Sequence, residues 1–329
     1  MGNRGEKRSA RERAPAEAMA LLLAGGDGRR LHDLTTEIAG RPIPKQYCRL
    51  YDNASLLEAT LSRTRLYAPD ERIHIIINRD HMDLALGQVC GLPEGNIIVQ
   101  PSNRDTGPGL LLSLLQLGRR NPDATVAVFP TDHYIDDDQA FIAHIRRATR
   151  LVELLPEKIA VLGVAPDRPE TGYGYLLPDS PVRSCGKTFY VRSFCEKPSV
   201  AKACEAIALG GLWNTFVMVF KLSRILRILK RVVPDRYRSM AALARSPQSV
   251  APAYRTLQPW NFSTDVLTRI PEDIIMIEVD DVRWSDWGTR ESIERTYRQL
   301  NRLPFWKNPL YRPIEAERED TARRSQSIA

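Results

Sequence analysis

With 329 residues and 43% apolar content, the chain can bury a large core, either as one big α/β domain or as two smaller ones. A net charge of +7 is modest for that length, and five of the basic residues fall within the first 18 positions, which argues against a nucleic-acid partner. Five cysteines at irregular spacings, with no Cys-x-x-Cys pair, exclude a disulfide scaffold or a zinc site and imply a reducing cytoplasm, while no apolar run approaches the roughly 20 residues of a membrane span.

Residues 1–18 set Arg4, Lys7, Arg8, Arg11 and Arg13 against Glu6, Glu12 and Glu17, and read as a disordered leader with Met19 as an alternative start. A signal peptide is not favoured, because the Leu21–Leu23 run is short and glutamates interrupt its approach. Ala20–Ala24 then reads as a buried strand that runs into Gly25, Gly26 and Gly28, followed by Arg29 and Arg30 and, downstream, by Pro44-Lys45-Gln46. Glycines let a backbone approach an anion and aim amide donors at it, and Arg30 and Lys45 supply positive charge. A Walker loop would need Lys-Ser/Thr after the last glycine, and a dinucleotide fingerprint would need glycine at Leu31, so neither fits. On these residues alone, a glycine-rich turn flanked by solvated arginines is the competing reading.

Short β-rich runs alternate with helical patterns up to about residue 165, the pattern of a parallel sheet covered by helices. Ser55 caps a helix to about Ala68, Ile73–Ile77 is a strand, and a helix near Asp80–Cys90 precedes a strand at Ile97–Val99. A helix over Gly107–Arg119 leads to a strand at Thr125–Phe129, which ends in Pro130-Thr131-Asp132-His133. That tetrapeptide and the glycine loop both follow strands, so they are expected to face one cleft. The acidic run Asp136-Asp137-Asp138 is read as the cap of a helix reaching Leu155, ahead of a strand at Ile159–Val164. Beyond residue 166 the runs look antiparallel: Tyr173–Leu177, Thr188–Phe194 and Leu212–Phe220. Helices are expected at Arg224–Val233 and Asp235–Ala244, Pro247–Pro259 is irregular, Ile274–Val279 pairs with Val282–Trp284, and a last helix covers about Arg290–Leu300. The tail from Pro304 to Ala329 is expected to be extended or poorly ordered.

In chain order, AGGDGRRL (Ala24–Leu31), PKQY (Pro44–Tyr47), RDTGPG (Arg104–Gly109), PTDH (Pro130–His133), TGYGY (Thr171–Tyr175), EKP (Glu196–Pro198), WN (Trp213, Asn214) and WSDWGT (Trp284–Thr289) resemble the motifs of the sugar-1-phosphate nucleotidyltransferases, and among these the mannose-1-phosphate guanylyltransferases most closely. The resemblance covers about residues 19–300. It implies a Rossmann-like, GT-A-like α/β domain over residues 19–303, with a mixed, mostly parallel sheet, helices on both faces and no C-terminal β-helix.

The implied reaction joins an NTP, GTP by preference, to a sugar 1-phosphate, mannose 1-phosphate by preference, in a cytoplasmic monomer or homodimer. The implied nucleotide-binding residues are Ala24, Gly25, Gly26, Gly28, Arg30, Asp105 and Thr106. Gly174, Glu196, Lys197 and Asn214 fall to the sugar phosphate, Asp132 and Asp286 to Mg²⁺, and Arg30, Lys45 and Asp132 to catalysis. A sugar 1-phosphate is already an anionic nucleophile, so the site must chiefly neutralise two polyanions and align them. His133 is therefore discounted as a general base. Asp105, an acceptor-only carboxylate, is a candidate reader of the guanine amino group. The motifs also depart from the family's: Gly107 and Gly109 stand for alanines, Thr215-Phe216 for a small residue followed by glycine, and Trp287 for valine. Two other readings stay open, the same reaction with another NTP or sugar 1-phosphate, and a non-catalytic nucleotide-sugar-binding regulatory subunit. A glycosyltransferase is disfavoured by the glycine loop and its Pro-Lys-Gln partner.

Overall fold

The computed structural model describes residues 18–51, 53–245 and 252–311. The expected leader, Ala18 apart, and the tail beyond Tyr311 lie outside the described residues. The strands are β1 (Met19–Ala24), β2 (Ile73–Asn78), β3 (Ile97–Gln100), β4 (Thr125–Pro130), β5 (Tyr134–Ile135), β6 (Ile159–Val164), β7 (Gly174–Pro181), β8 (Thr188–Glu196), β9 (Leu212–Lys221), β10 (Ile274–Val279) and β11 (Trp284–Ser285). The helices are α1 (His32–Ala39), α2 (Leu56–Arg65), α3 (Met82–Leu86), α4 (Thr106–Arg120), α5 (Asp138–Leu154), α6 (Val200–Ala208), α7 (Leu222–Val232), α8 (Pro234–Arg245), α9 (Phe262–Asp265) and α10 (Arg290–Gln299).

One sheet runs in the order β3-β2-β1-β4-β9-β6-β10-β8-β7, and β5 and β11 form a second, two-stranded one. In the large sheet only β8 and β9 run against the rest. Alternate residues of each strand serve opposite faces. Leu21 and Ile76 pack with Leu110, Leu111 and Leu114 of α4 and with α7. Leu22, Ile75 and Ile77 pack with Leu57 and Leu61 of α2 and with Phe141, Ile142 and Ile145 of α5. The sheet is therefore mixed, with helices on both faces, as expected, and no helix among the described residues is long and apolar enough to cross a membrane.

Two sequence expectations need correction, and one element lies beyond them. Ile274–Val279 does not pair with Val282–Trp284: β10 is buried at nearly every position and so takes a central place between β6 and β8, while β11 pairs with β5. The stretch between Arg30 and Pro44, for which the sequence reading gives no element, contains α1, which buries Leu34 and Ile38 and ends at Gly40 in the left-handed conformation (φ 82°). Finally, the first part of the expected tail is packed: Trp306 is buried with α1 and α10, and the Tyr311 hydroxyl donates to Ile38 O at 2.6 Å. The acidic run does cap its helix, Asp137 accepting from Ala140 N at 2.9 Å and Asp138 pairing with buried Arg63 at 2.6 Å.

Candidate active site

β1 and β4 are parallel neighbours, with Leu23 beside Pro130, so the glycine loop and Pro130–His133 leave the sheet side by side at its carboxyl edge. Side chains hold the loop's carbonyls. Gln46 Nε2 donates to Ala24 O (3.2 Å) and Gly26 O (2.7 Å), Tyr47 Oη donates to Ala24 O (2.8 Å), and Gln100 Nε2 donates to Gly25 O (3.2 Å). Gly28 turns at φ +62°, and a β-carbon there would lie 2.9 Å from Lys45 N. Only glycine lets the loop rest against Pro44-Lys45 in this way.

Lys45 is 6% exposed, so it is not a solvated loop lysine. Its ammonium pairs with Asp132 Oδ2 at 3.2 Å and donates to Trp287 O at 3.1 Å and to Asp286 O. One cation thereby ties the end of β4 to the loop after β11. Burial pushes the Asp132 carboxyl up, but Lys45 and His133 outweigh it and hold that carboxyl below its ordinary range. Burial also pushes the His133 imidazole down, which favours its neutral form. Trp284 Nε1, which can only donate, gives its hydrogen to His133 Nδ1 at 3.2 Å, so the ring proton sits on Nε2, 3.6 Å from Asp132 Oδ1. Asp286 Oδ1 accepts from Tyr173 Oη (2.6 Å) and Gly288 N (2.9 Å). Burial and Asp286 push the Tyr173 hydroxyl far up, so it stays a donor. A β-carbon on Gly288 would collide with the Asp286 carboxylate and lie 3.4 Å from the Arg30 guanidinium.

Among the described residues no three His, Cys, Asp or Glu side chains gather as a metal cluster. The donors at hand are instead two hard carboxylates, Asp132 and Asp286. That set fits Mg²⁺, which takes one or two carboxylates together with phosphate and water.

Two adjoining cavities open here. One, of about 330 Å³, is lined by Gly25, Gly26, Gln100, Asp105, Thr106, Asp132, His133 and Phe216; the other, of about 540 Å³, by Gly28, Arg30, Lys45, Asp105, Asp132 and Gly288, among others. Ala24 lines neither, contributing its carbonyl instead. Asp105 caps α4 with φ 68° and ψ −177°, a region nearly reserved for glycine that costs on the order of 1–3 kcal/mol. It is held there by Asn103 Oδ1, which accepts from Asp105 N at 2.9 Å. Asp105 Oδ1 accepts from Thr106 N (2.6 Å) and Asn261 Nδ2 (3.2 Å), so one of its two oxygens is already used by the protein.

The sugar-side candidates form a separate group that lines neither cavity. Gly174 lies opposite Glu196 across the β7–β8 ladder, and a β-carbon on it would lie 2.6 Å from Glu196 Oε2. Burial pushes the Glu196 carboxyl up; Lys197 opposes the shift and Asp105 adds to it, so Asp105 is electrostatically in reach of this group. Lys197, 60% exposed, sits 3.9 Å from Glu196 Oε1 and carries a positive φ of 46°. Asn214 Oδ1 accepts from Phe216 N at 2.9 Å, so its oxygen serves a local turn.

The family profile described as Nucleotidyl transferase matches residues 19–302, most of the chain. The chain belongs to this family. It is 33% identical over 242 residues to the alginate biosynthesis protein AlgA of Pseudomonas fluorescens, covering 70% of this chain and 47% of that protein. It is 29% identical to mannose-1-phosphate guanylyltransferase 2 of Escherichia coli O157:H7, covering 84% and 59% respectively. The chain thus spans about half the length of such curated relatives. The crystal structure of mannose-1-phosphate geranyltransferase from Thermus thermophilus superposes with a TM-score of 0.75 at 29% identity, over 85% of this chain and 79% of that one.

Several residues of this candidate site escaped the sequence reading. Gln46 and Tyr47 stood beside Lys45 in a quoted motif, and their polar groups were the available signal. Tyr173, likewise inside a quoted motif, gives no local hint that it reaches Asp286, 113 positions away. Trp260 and Asn261 follow the irregular stretch Pro247–Pro259 and carry no expectation of their own. Yet Gly107 N donates to Trp260 O at 3.0 Å, and a β-carbon on Gly107 would overlap the Trp260 ring, which explains glycine where the resemblance leads one to expect alanine. Gly109 is explained similarly, since a β-carbon there would come within 2.7 Å of Gln100 Oε1.

Proposed function

We propose that the chain catalyses nucleotidyl transfer from an NTP to a sugar 1-phosphate, releasing pyrophosphate, with GTP and mannose 1-phosphate as the pair and Mg²⁺ as the metal. The observation that carries this reading is the buried Lys45 ammonium, bound at once to Asp132 and to the carbonyls of Asp286 and Trp287 beside the glycine loop. In the proposed reaction a phosphate oxygen of the sugar phosphate bonds to the α-phosphorus as the bond from that phosphorus to the β-phosphate oxygen breaks. The nucleophile arrives ionised, so no proton has to be removed, which agrees with a neutral His133.

In this reading Gly25, Gly26 and Gly28 take the phosphates, Arg30 the departing pyrophosphate, and Lys45 the α-phosphate. Asp105 and Thr106 take the base, Asp105 through the carboxylate oxygen that the protein leaves unused. Glu196 and Lys197, with Gly174 and Asn214 beside them, take the sugar phosphate. Asp132 and Asp286 would hold Mg²⁺, which when bound neutralises charge on the triphosphate. The preference for GTP and mannose 1-phosphate is supported by a relative whose name carries that activity and by the acceptor-only chemistry of Asp105.

The test is pyrophosphate release by the full chain with Mg²⁺, crossing four NTPs against a panel of sugar 1-phosphates. Turnover confined to GTP with mannose 1-phosphate is expected. Turnover with a different pair would replace the substrates and leave the chemistry standing, and nucleotide-sugar binding without turnover would make the chain a binding subunit.

A further inference from the structure

Phe216 is a bulky residue in a conformation that suits glycine, with φ +59°. Its neighbours impose that conformation. Asn214 Oδ1 accepts the Phe216 N–H, and Thr215 Oγ1 donates to Leu162 O at 2.7 Å while accepting the Val217 N–H at 3.2 Å. The β6–β9 register shifts at this point, so the strand bulges and re-aims a side chain, as bulges beside active sites do. The side chain so aimed lines the 330 Å³ cavity with Pro130, Asp132 and His133. Its ring meets Phe262 edge-on at 6.0 Å, and Phe262 N donates to Thr106 Oγ1 at 2.9 Å, which fixes the cavity's walls to one another. The ring is only part-buried: it packs against the core cluster on the α4 face of the sheet and also lines the cavity.

We propose that Phe216 is a specificity-determining residue, whose ring, in a cavity it shares with the nucleotide residues Gly25, Gly26, Asp105 and Thr106, limits the bulk of the sugar 1-phosphate that can bring its phosphate to Asp132. Phe216 is the β9 residue that lines this cavity, and it lies two positions from Asn214 on the sugar side. The inference rests on the nucleotidyl-transfer reading above and adds the residue that selects the acceptor sugar.

The test compares wild type with Phe216→Gly, and with Phe216→Asn as a second small residue that tolerates positive φ. The readout is the ratio of kcat/KM for an N-acetylhexosamine 1-phosphate to that for the plain hexose 1-phosphate. Both variants are expected to raise this ratio by at least about tenfold, with the KM for the NTP held within about twofold. The melting temperature of Phe216→Gly is expected not to fall, because the backbone strain is relieved. An unchanged ratio with a lowered melting temperature would reduce the ring to packing, and an NTP KM rising in step with the ratio would move it to the nucleotide side; either overturns the proposal. If wild type turns over no pair, the reaction reading falls on its own. The ratio is then read as calorimetric affinities for the nucleoside-diphosphate N-acetylhexosamine and hexose, and an unchanged value still overturns the role of Phe216.

Discussion

Tyr173 and His74 show how single side chains set the state of their surroundings. Tyr173 donates to the Asp286 carboxylate that the proposed function assigns to Mg²⁺, and groups that orient a metal ligand in this way typically carry a substantial share of its affinity. Tyr173→Phe is expected to lower Mg²⁺-dependent activity by about 10–100-fold with saturating metal restoring part of the loss, as a Mg²⁺ titration would read. An unchanged titration would remove Tyr173 from the site. His74 lies buried in β2, where burial foremost, and Arg120 beside it, push its pKa down to about 4, and its Nδ1 has no hydrogen-bond partner. Above about pH 6.5 the ring is neutral whether the chain is folded or unfolded. As pH falls from there towards 4, the unfolded chain binds a proton that the folded chain refuses, so stability declines by up to about 3 kcal/mol. Urea unfolding of His74→Leu is expected to lack that part of the decline, and parallel pH curves for variant and wild type would contradict it.

At the scale of elements, the start of α4 is built around a contact with a distant segment. Gly107 leaves room for the Trp260 ring, and its N–H is capped by Trp260 O. Gly107→Ala should therefore overpack the helix start and cost about 1–3 kcal/mol, with most of the cost removed in a Trp260→Ala background. Equal costs in the two backgrounds would show that Trp260 is not the obstacle. This contact also marks the limit of what the sequence discloses. Runs such as Ile73–Ile77 and Ile159–Val164 announce their strands because continuous β-branched and aliphatic residues suit a doubly covered sheet. Ser55 announces α2 through a capping box with Glu58. In contrast, β11 is two residues long and pairs with Tyr134–Ile135, about 150 positions away, so no local pattern could reveal it. α1 is a different case: Leu31, Leu34 and Ile38 lie on one face with Gly40 after them, a readable pattern, but it is only two turns long and set between glycines and prolines. The motif residues of the site could be named from the sequence. Their partners could not, because Lys45 reaches the Asp286-Trp287 carbonyls and Asn261 reaches Asp105 only through the fold.

Across the whole molecule, the candidate site lies where the sheet meets a third core cluster built from α1, β5, α10 and the packed start of the tail. Trp287 is fully buried there, stacked on Tyr134 at 4.9 Å, with its Nε1 donating to Thr296 Oγ1 at 2.9 Å. Its left-handed φ of 46° turns its carbonyl and that of Asp286 towards Lys45, so this cluster anchors the loop that the ammonium ties to β4. The Lys45 ammonium and the Asp132 and Asp286 carboxylates are thus held in place by the protein itself, which is what electrostatic catalysis of the proposed transfer needs. The most direct measurement is pyrophosphate released together with a nucleotide sugar, by wild type and by Asp132→Ala, each with Mg²⁺ and with a chelator. Release in equal amounts by wild type with Mg²⁺, lost by at least about a hundredfold in the variant and abolished by the chelator, is expected. Full turnover by Asp132→Ala, or turnover indifferent to the chelator, would contradict the assignment of the Lys45–Asp132 cluster as the catalytic centre.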